Sequence, residues 1–292
     1  MYDARNSSGG NSSNLIFGLA TLAVVGGAFL AVWKGPDLIG AGRSASPAPQ
    51  ASAASVSGAG IAALATTPDE KRYLAAMSRL SPNVYRQVER DLPGAGNNTI
   101  DRLDVMQRAA IPVLRDHADA LARVSVQDID NLVDGGIGEL QKLQRSGSKW
   151  CKGSHYAQFE GLSPRQVERK MRREGLTEEA MAPVAMRMNA DFLEMIERAR
   201  KNPTRHGKLT SQDEQALQGM LMSLMADPSV MKAMMAGGNE AEAMERLNVC
   251  SIGATALKSF RRLPSGTKGR AWAATFENGD FNRALRNAER NF

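Results

Sequence analysis

Histidine and cysteine are scarce in this chain. Its 292 residues hold three histidines and two cysteines. That scarcity leaves little for the common nucleophilic and metal-dependent chemistries. A Cys–His nucleophile needs a base within hydrogen-bond reach of the thiol, and Cys151 with His155 is the one local pair. On paper, Cys151, His155, His206 and Cys250 could make a tetrahedral set, but zinc modules bring their ligands in close pairs and only one close pair exists. No stretch alternates apolar and polar residues with β-branched enrichment, so no sheet is expected. The glycine clusters Gly135-Gly136-Ile137-Gly138 and Ser265-Gly266-Thr267-Lys268-Gly269 lack the phosphate-loop pattern and follow no predicted strand. The acidic residues permit many carboxylate pairs, so no single pair is informative; Glu160, beside Phe159, is the first to test. No cofactor is implied, and the chain does not read as an enzyme.

Charge is also missing over one long stretch, and that stretch is apolar. Leu15 to Trp33 contains nineteen residues without a charge or a proline. As a helix it would span about 30 Å, the thickness of a bilayer core. A cleaved signal peptide is the rival reading. It is disfavoured by the long, nearly neutral segment before the run and by Val32-Trp33-Lys34, which offers no small-residue cleavage site. Trp33 and Lys34 instead suit a membrane interface. Ala20, Ala23, Gly27 and Ala31 fall on one face of this helix and would let two spans approach closely as a homodimer.

After the run, Ser44 to Thr67 carries no charge and is rich in Ser, Ala, Pro and Gly. Such a segment cannot bury enough apolar surface to fold and reads as a spacer. The expected organisation is therefore a polar tail over residues 1–14, a membrane span over 15–33, a linker over 34–67 and a helical domain over 68–292. The aperiodic segment 147–161 is a candidate boundary inside that domain.

The domain is expected to be all-α, built of about eight to ten short helices. Thr67-Pro68-Asp69-Glu70 and Ser163-Pro164-Arg165-Gln166 carry helix-start chemistry, and Ser125 to Asp128 and Thr210 to Asp213 carry looser versions. Apolar residues then recur at helical spacing, as in Ile129, Leu132, Val133, Ile137, Leu140 and Leu143. Cys250 is expected near the end of a helix that starts around Asn239.

Lys34 and Arg43 beyond the span barely outweigh Arg5 before it, so the positive-inside rule does not orient the chain. The even cysteine count favours a bridge between Cys151 and Cys250, hence an oxidising compartment. The expected placement is the inner membrane of a bacterial cell, with the C-terminal domain in the periplasm. The net charge is +6. Basic residues dominate two regions and outline a surface for an anionic partner: Arg165, Arg169, Lys170, Arg172 and Arg173, then Arg261, Arg262, Lys268 and Arg270. That partner would be anionic lipid or a wall polymer outside the cytosol, or nucleic acid inside it. Methionines concentrate between Met171 and Met235, which suits an irregular core better than a copper or peptide site. The functional expectation is a bitopic scaffold or accessory subunit that binds other proteins. A tethered cytosolic nucleic-acid binder is the alternative, and an envelope enzyme is the second alternative.

Overall fold

A computed structural model describes residues 58–157, 178–228, 231 and 247–277. Helices account for the regular structure of these residues: α1 (Gly58–Leu64), α2 (Pro68–Leu80), α3 (Pro82–Asp91), α4 (Thr99–Asp116), α5 (Ala118–Leu121), α6 (Val126–Arg145), α7 (Ser154–Ala157), α8 (Glu178–Lys201), α9 (Ser211–Met225), α10 (Val249–Arg261) and α11 (Ser265–Glu277). Short 3-10 turns cover Leu92–Ala95 and Lys149–Cys151. Among the described residues there is no strand, only an isolated bridge between Lys152 and Asn248. The membrane run, its small-residue face Ala20, Ala23, Gly27 and Ala31, and the cations Arg165, Arg169, Lys170, Arg172 and Arg173 lie outside the described residues. No described helix is long and apolar enough to cross a membrane.

Helix starts follow local side-chain chemistry. The Thr67 hydroxyl accepts from the Glu70 amide at 3.1 Å, with Pro68 in the first turn of α2. Ser125 caps α6 through the Asp128 amide at 3.1 Å. Thr210 and Asp213 close a reciprocal box at the start of α9. Each cap satisfies amide donors that a helix end leaves open.

Three expectations need correction. The linker ends earlier than residue 67, because α1 forms within it and Ile61 is buried in the core. Ile61 and Leu64 lie three residues apart, which gives this alanine-rich stretch one apolar face to bury. Cys250 sits at the start of a helix rather than near its end, because Asn248 caps α10 by accepting from the Ser251 amide at 2.9 Å. Segment 147–161 does not divide the core: one buried cluster runs from Ile61 and Tyr73 through Phe192 to Trp272 and Phe276.

Two helix pairs organise that core. On α2 and α8, Arg72 meets Asp191 and Glu194, and Arg79 meets Glu197 at 2.8 Å. The contacts advance in the same direction on both helices. On α6 and α10 they advance in opposite directions. Gly253 leaves room for Leu140, Gly136 leaves room for Leu257, and Arg261 reaches Asp134. A Cβ on Gly136 or Gly253 would come within 3.1 Å of the facing leucine, so these glycines set the close approach.

Helix α11 plugs the gap between the pairs. Its Trp272 is 2% exposed, donates to the Leu121 carbonyl at 2.8 Å and stacks on Phe192. Burying a side chain of this size contributes about 3–5 kcal/mol against truncation to alanine.

Candidate functional site

Beyond the end of α6 the chain makes a tight turn. Gly147 adopts φ of 66°, a conformation costly for other residues, and Ser148 caps the following 3-10 turn by accepting from the Trp150 amide. The turn delivers Cys151 to Cys250, with the sulfurs 2.02 Å apart and a sequence separation of 99. The Gly153 amide donates to the Leu247 carbonyl at 2.8 Å, so backbone pairing supports the covalent link. The pairing suggested by the cysteine count is thus present in the geometry. With both sulfurs joined to each other, and His206 Nε2 held 2.6 Å from the Val124 carbonyl, the four-ligand set considered above is not assembled. Among the described residues no group of three or more His, Cys, Asp or Glu side chains could hold a metal.

The second half of the expected anionic-partner surface is largely engaged in ion pairs, with Lys268 buried and Arg261 and Arg270 part-exposed. Lys268 is 2% exposed, and its Nζ donates to Asp130 at 2.5 Å and to the Arg261 carbonyl at 3.2 Å. Arg261 bridges Asp130 and Asp134. Arg270 forks onto both oxygens of buried Asp213 at 2.7 Å, and Thr267 donates to the same carboxylate. The Arg270 guanidinium holds the Asp213 carboxyl well below the usual range, against the opposing effect of burial. These three cations close the packing of α11 and α10 on α6 and α9. Of the four described members only Arg262 is fully exposed.

A third buried pair ties the N-terminal half together. Arg102 donates to Glu70 at 3.0 and 2.9 Å, to the Gly96 carbonyl at 3.1 Å and to the Leu64 carbonyl at 2.6 Å. Burial pushes the Glu70 carboxyl up, but Arg102 and the Thr66 hydroxyl and amide outweigh it and hold it below its ordinary value.

The methionines are mostly packing. Met186, Met195 and Met220 are buried, and Met188 lies against the core; Met222 and Met231 are exposed.

Two surface features remain. One is a half-open cleft of about 760 Å³ between α3 and α4. Its walls include Val84, Val88, Val105 and Pro112, with Asp91 and Asp101 at its turn end. The other is a cluster of exposed cations, of which only Lys142 lies outside the basic region running from Arg145 to Arg173 in the sequence: Lys142 and Arg145 on the last turn of α6, and Lys149 and Lys152 on the disulfide-linked turn. The excess of basic residues from Arg145 onward was its sequence signal, but not where that surface begins or what holds it.

No family model, curated protein or solved structure matches this chain.

Proposed function

We propose that this is a single-pass membrane protein whose helical domain acts outside the cytosol as a scaffold or accessory subunit, binding protein partners. The observation that carries this reading is the charge-free run from Leu15 to Trp33, long enough as a helix to span a bilayer core. The Cys151–Cys250 link supports the compartment, because such bonds persist where thiols are not kept reduced. In a bacterial cell this is the inner membrane, with the domain on the periplasmic side. The small face Ala20, Ala23, Gly27 and Ala31 suits pairing of two spans.

Crosslinking in intact membranes followed by affinity purification tests the scaffold function. A defined partner recovered in stoichiometric amount is expected; recovery of the chain alone after efficient crosslinking would contradict it. Thiol labelling tests the topology. After reduction, an impermeant maleimide should reach the cysteines from outside the inner membrane, and labelling from the cytosolic side alone would reverse the assignment. The reversed topology would favour a tethered nucleic-acid binder, for which the exposed cations Lys142, Arg145, Lys149 and Lys152 supply suitable charge.

A further inference from the structure

Four exposed cations crowd one end of the α6–α10 pair. Lys142 and Arg145 lie three residues apart on the last turn of α6, and Lys149 and Lys152 follow on the turn that carries Cys151. None of the four has an ion-pair partner among the described residues, whereas neighbouring Glu139 is taken by Arg187 at 3.0 Å. The local carboxylate is thus already used, and no carboxylate among the described residues pairs with the four cations.

Cations at a helix C-terminus complement the helix dipole, and that accounts for Lys142 and Arg145. It does not account for Lys149 and Lys152, which lie past the helix end. Those two are held by other means. The disulfide, the Lys152–Asn248 bridge and the Gly153–Leu247 hydrogen bond fix their turn against α10. Half-buried Trp150 sits between them in sequence, an aromatic body with a polar edge of the kind enriched at membrane interfaces.

The place of this cluster in a tethered chain favours one partner. From Lys34 to Ser57 there are twenty-four residues between the apolar run and α1. A chain of that length reaches at most about 80 Å, so the domain stays beside the bilayer that holds it. A cluster of basic residues kept there meets anionic headgroups at high effective concentration, each cation improving the encounter about fivefold.

We propose that Lys142, Arg145, Lys149 and Lys152, with Trp150, form a second, peripheral membrane contact that docks the domain on anionic phospholipid headgroups. The proposal rests on the membrane-anchored reading and adds an orientation to it: the disulfide end of α6 turns toward the bilayer. The disulfide then has a functional consequence, because it presents Lys149 and Lys152 as a fixed pair.

The test uses the full chain in lipid nanodiscs, one set of phosphatidylcholine alone and one with phosphatidylglycerol added. Amide hydrogen exchange is followed over residues 142–153. Exchange should slow about fivefold or more in the anionic discs, and the protection should vanish in about 0.5 M salt. Lys149→Glu with Lys152→Glu should abolish it; both positions are exposed and lie outside the α-helices, and retained helicity by circular dichroism would show that the variant is folded. Equal exchange in the two disc types, or protection that survives the double reversal, would overturn the proposal. So would protection by a soluble polyanion such as DNA with none from phosphatidylglycerol. Stable insertion of the chain in both disc types, with no difference between them, would refute the contact while leaving the anchored reading intact.

Discussion

Replacing Arg102 with methionine should destabilise the domain in a pH-dependent way, and the structure sets both size and sign. Arg102 and Glu70 have side chains only 6% and 4% exposed. Arg102 also satisfies the carbonyls of Gly96 and Leu64, so one guanidinium joins α1, α2, the Leu92–Ala95 turn and α4. Removing one partner of a buried pair costs about 3–5 kcal/mol, because the other charge stays buried without its counter-ion. For a domain of this size that is a fall of about 10 °C in Tm. The Glu70 carboxyl lies below its ordinary value of 4.5 in the folded chain. Its contribution is therefore complete above that value and is lost as pH falls through the folded one. In the variant, burial is opposed only by the Thr66 bonds, and the carboxyl titrates higher than in the wild type. The cost of substitution must then shrink on acidification, toward the roughly 1–3 kcal/mol of two carbonyls deprived of a donor. Thermal unfolding of the full chain in detergent, followed by far-ultraviolet circular dichroism near pH 7 and near pH 4, measures both. A Tm change below about 2 °C near neutrality, or an equal change at both pH values, would refute the reasoning.

Four further outcomes follow from the structure. Tyr73→Phe should cost about 1 kcal/mol, since its hydroxyl donates to the Met106 carbonyl at 2.5 Å. Tyr85→Phe should be neutral or stabilising, since its buried hydroxyl has no hydrogen-bond partner among the described residues; equal losses by denaturant unfolding would contradict the contrast. Gly269→Ala should destabilise by about 1–3 kcal/mol, because the new Cβ would fall 2.2 Å from His206 Nδ1, and an unchanged Tm would mean that the ring is not packed there. Reducing the Cys151–Cys250 bond, which closes a loop with a sequence separation of 99, should remove up to about 4–5 kcal/mol, read as a lower denaturation midpoint; a midpoint unaffected by reductant would show that the bond does not form.

Local chemistry was legible in the residues, and long-range chemistry was not. Thr67, Ser125 and Thr210 announce helices because a cap acts within three residues of itself. The cysteine pairing was accessible because only one intramolecular pairing of two cysteines exists. The α1 helix was missed because an alanine- and glycine-rich stretch resembles a spacer unless the Ile61–Leu64 spacing is given weight. Asn248 was missed as a cap because no acidic or amide residue follows at the third helical position to mark it. The pairing of the C-terminal cations was hidden for a different reason. Lys268 and Arg270 look solvated in sequence, yet Asp130 and Asp213 stand 138 and 57 residues away from them. Ion pairs at such separations leave no local pattern. The cluster from Lys142 to Lys152 emerges only when these paired cations are set aside.

Alkaline carbonate extraction of membranes containing the full chain, beside a version lacking residues 1–57, tests the tether most directly. The full chain should stay in the pellet and the shortened one should enter the supernatant. Release of the intact full chain into the supernatant would contradict the membrane anchor and the orientation built upon it.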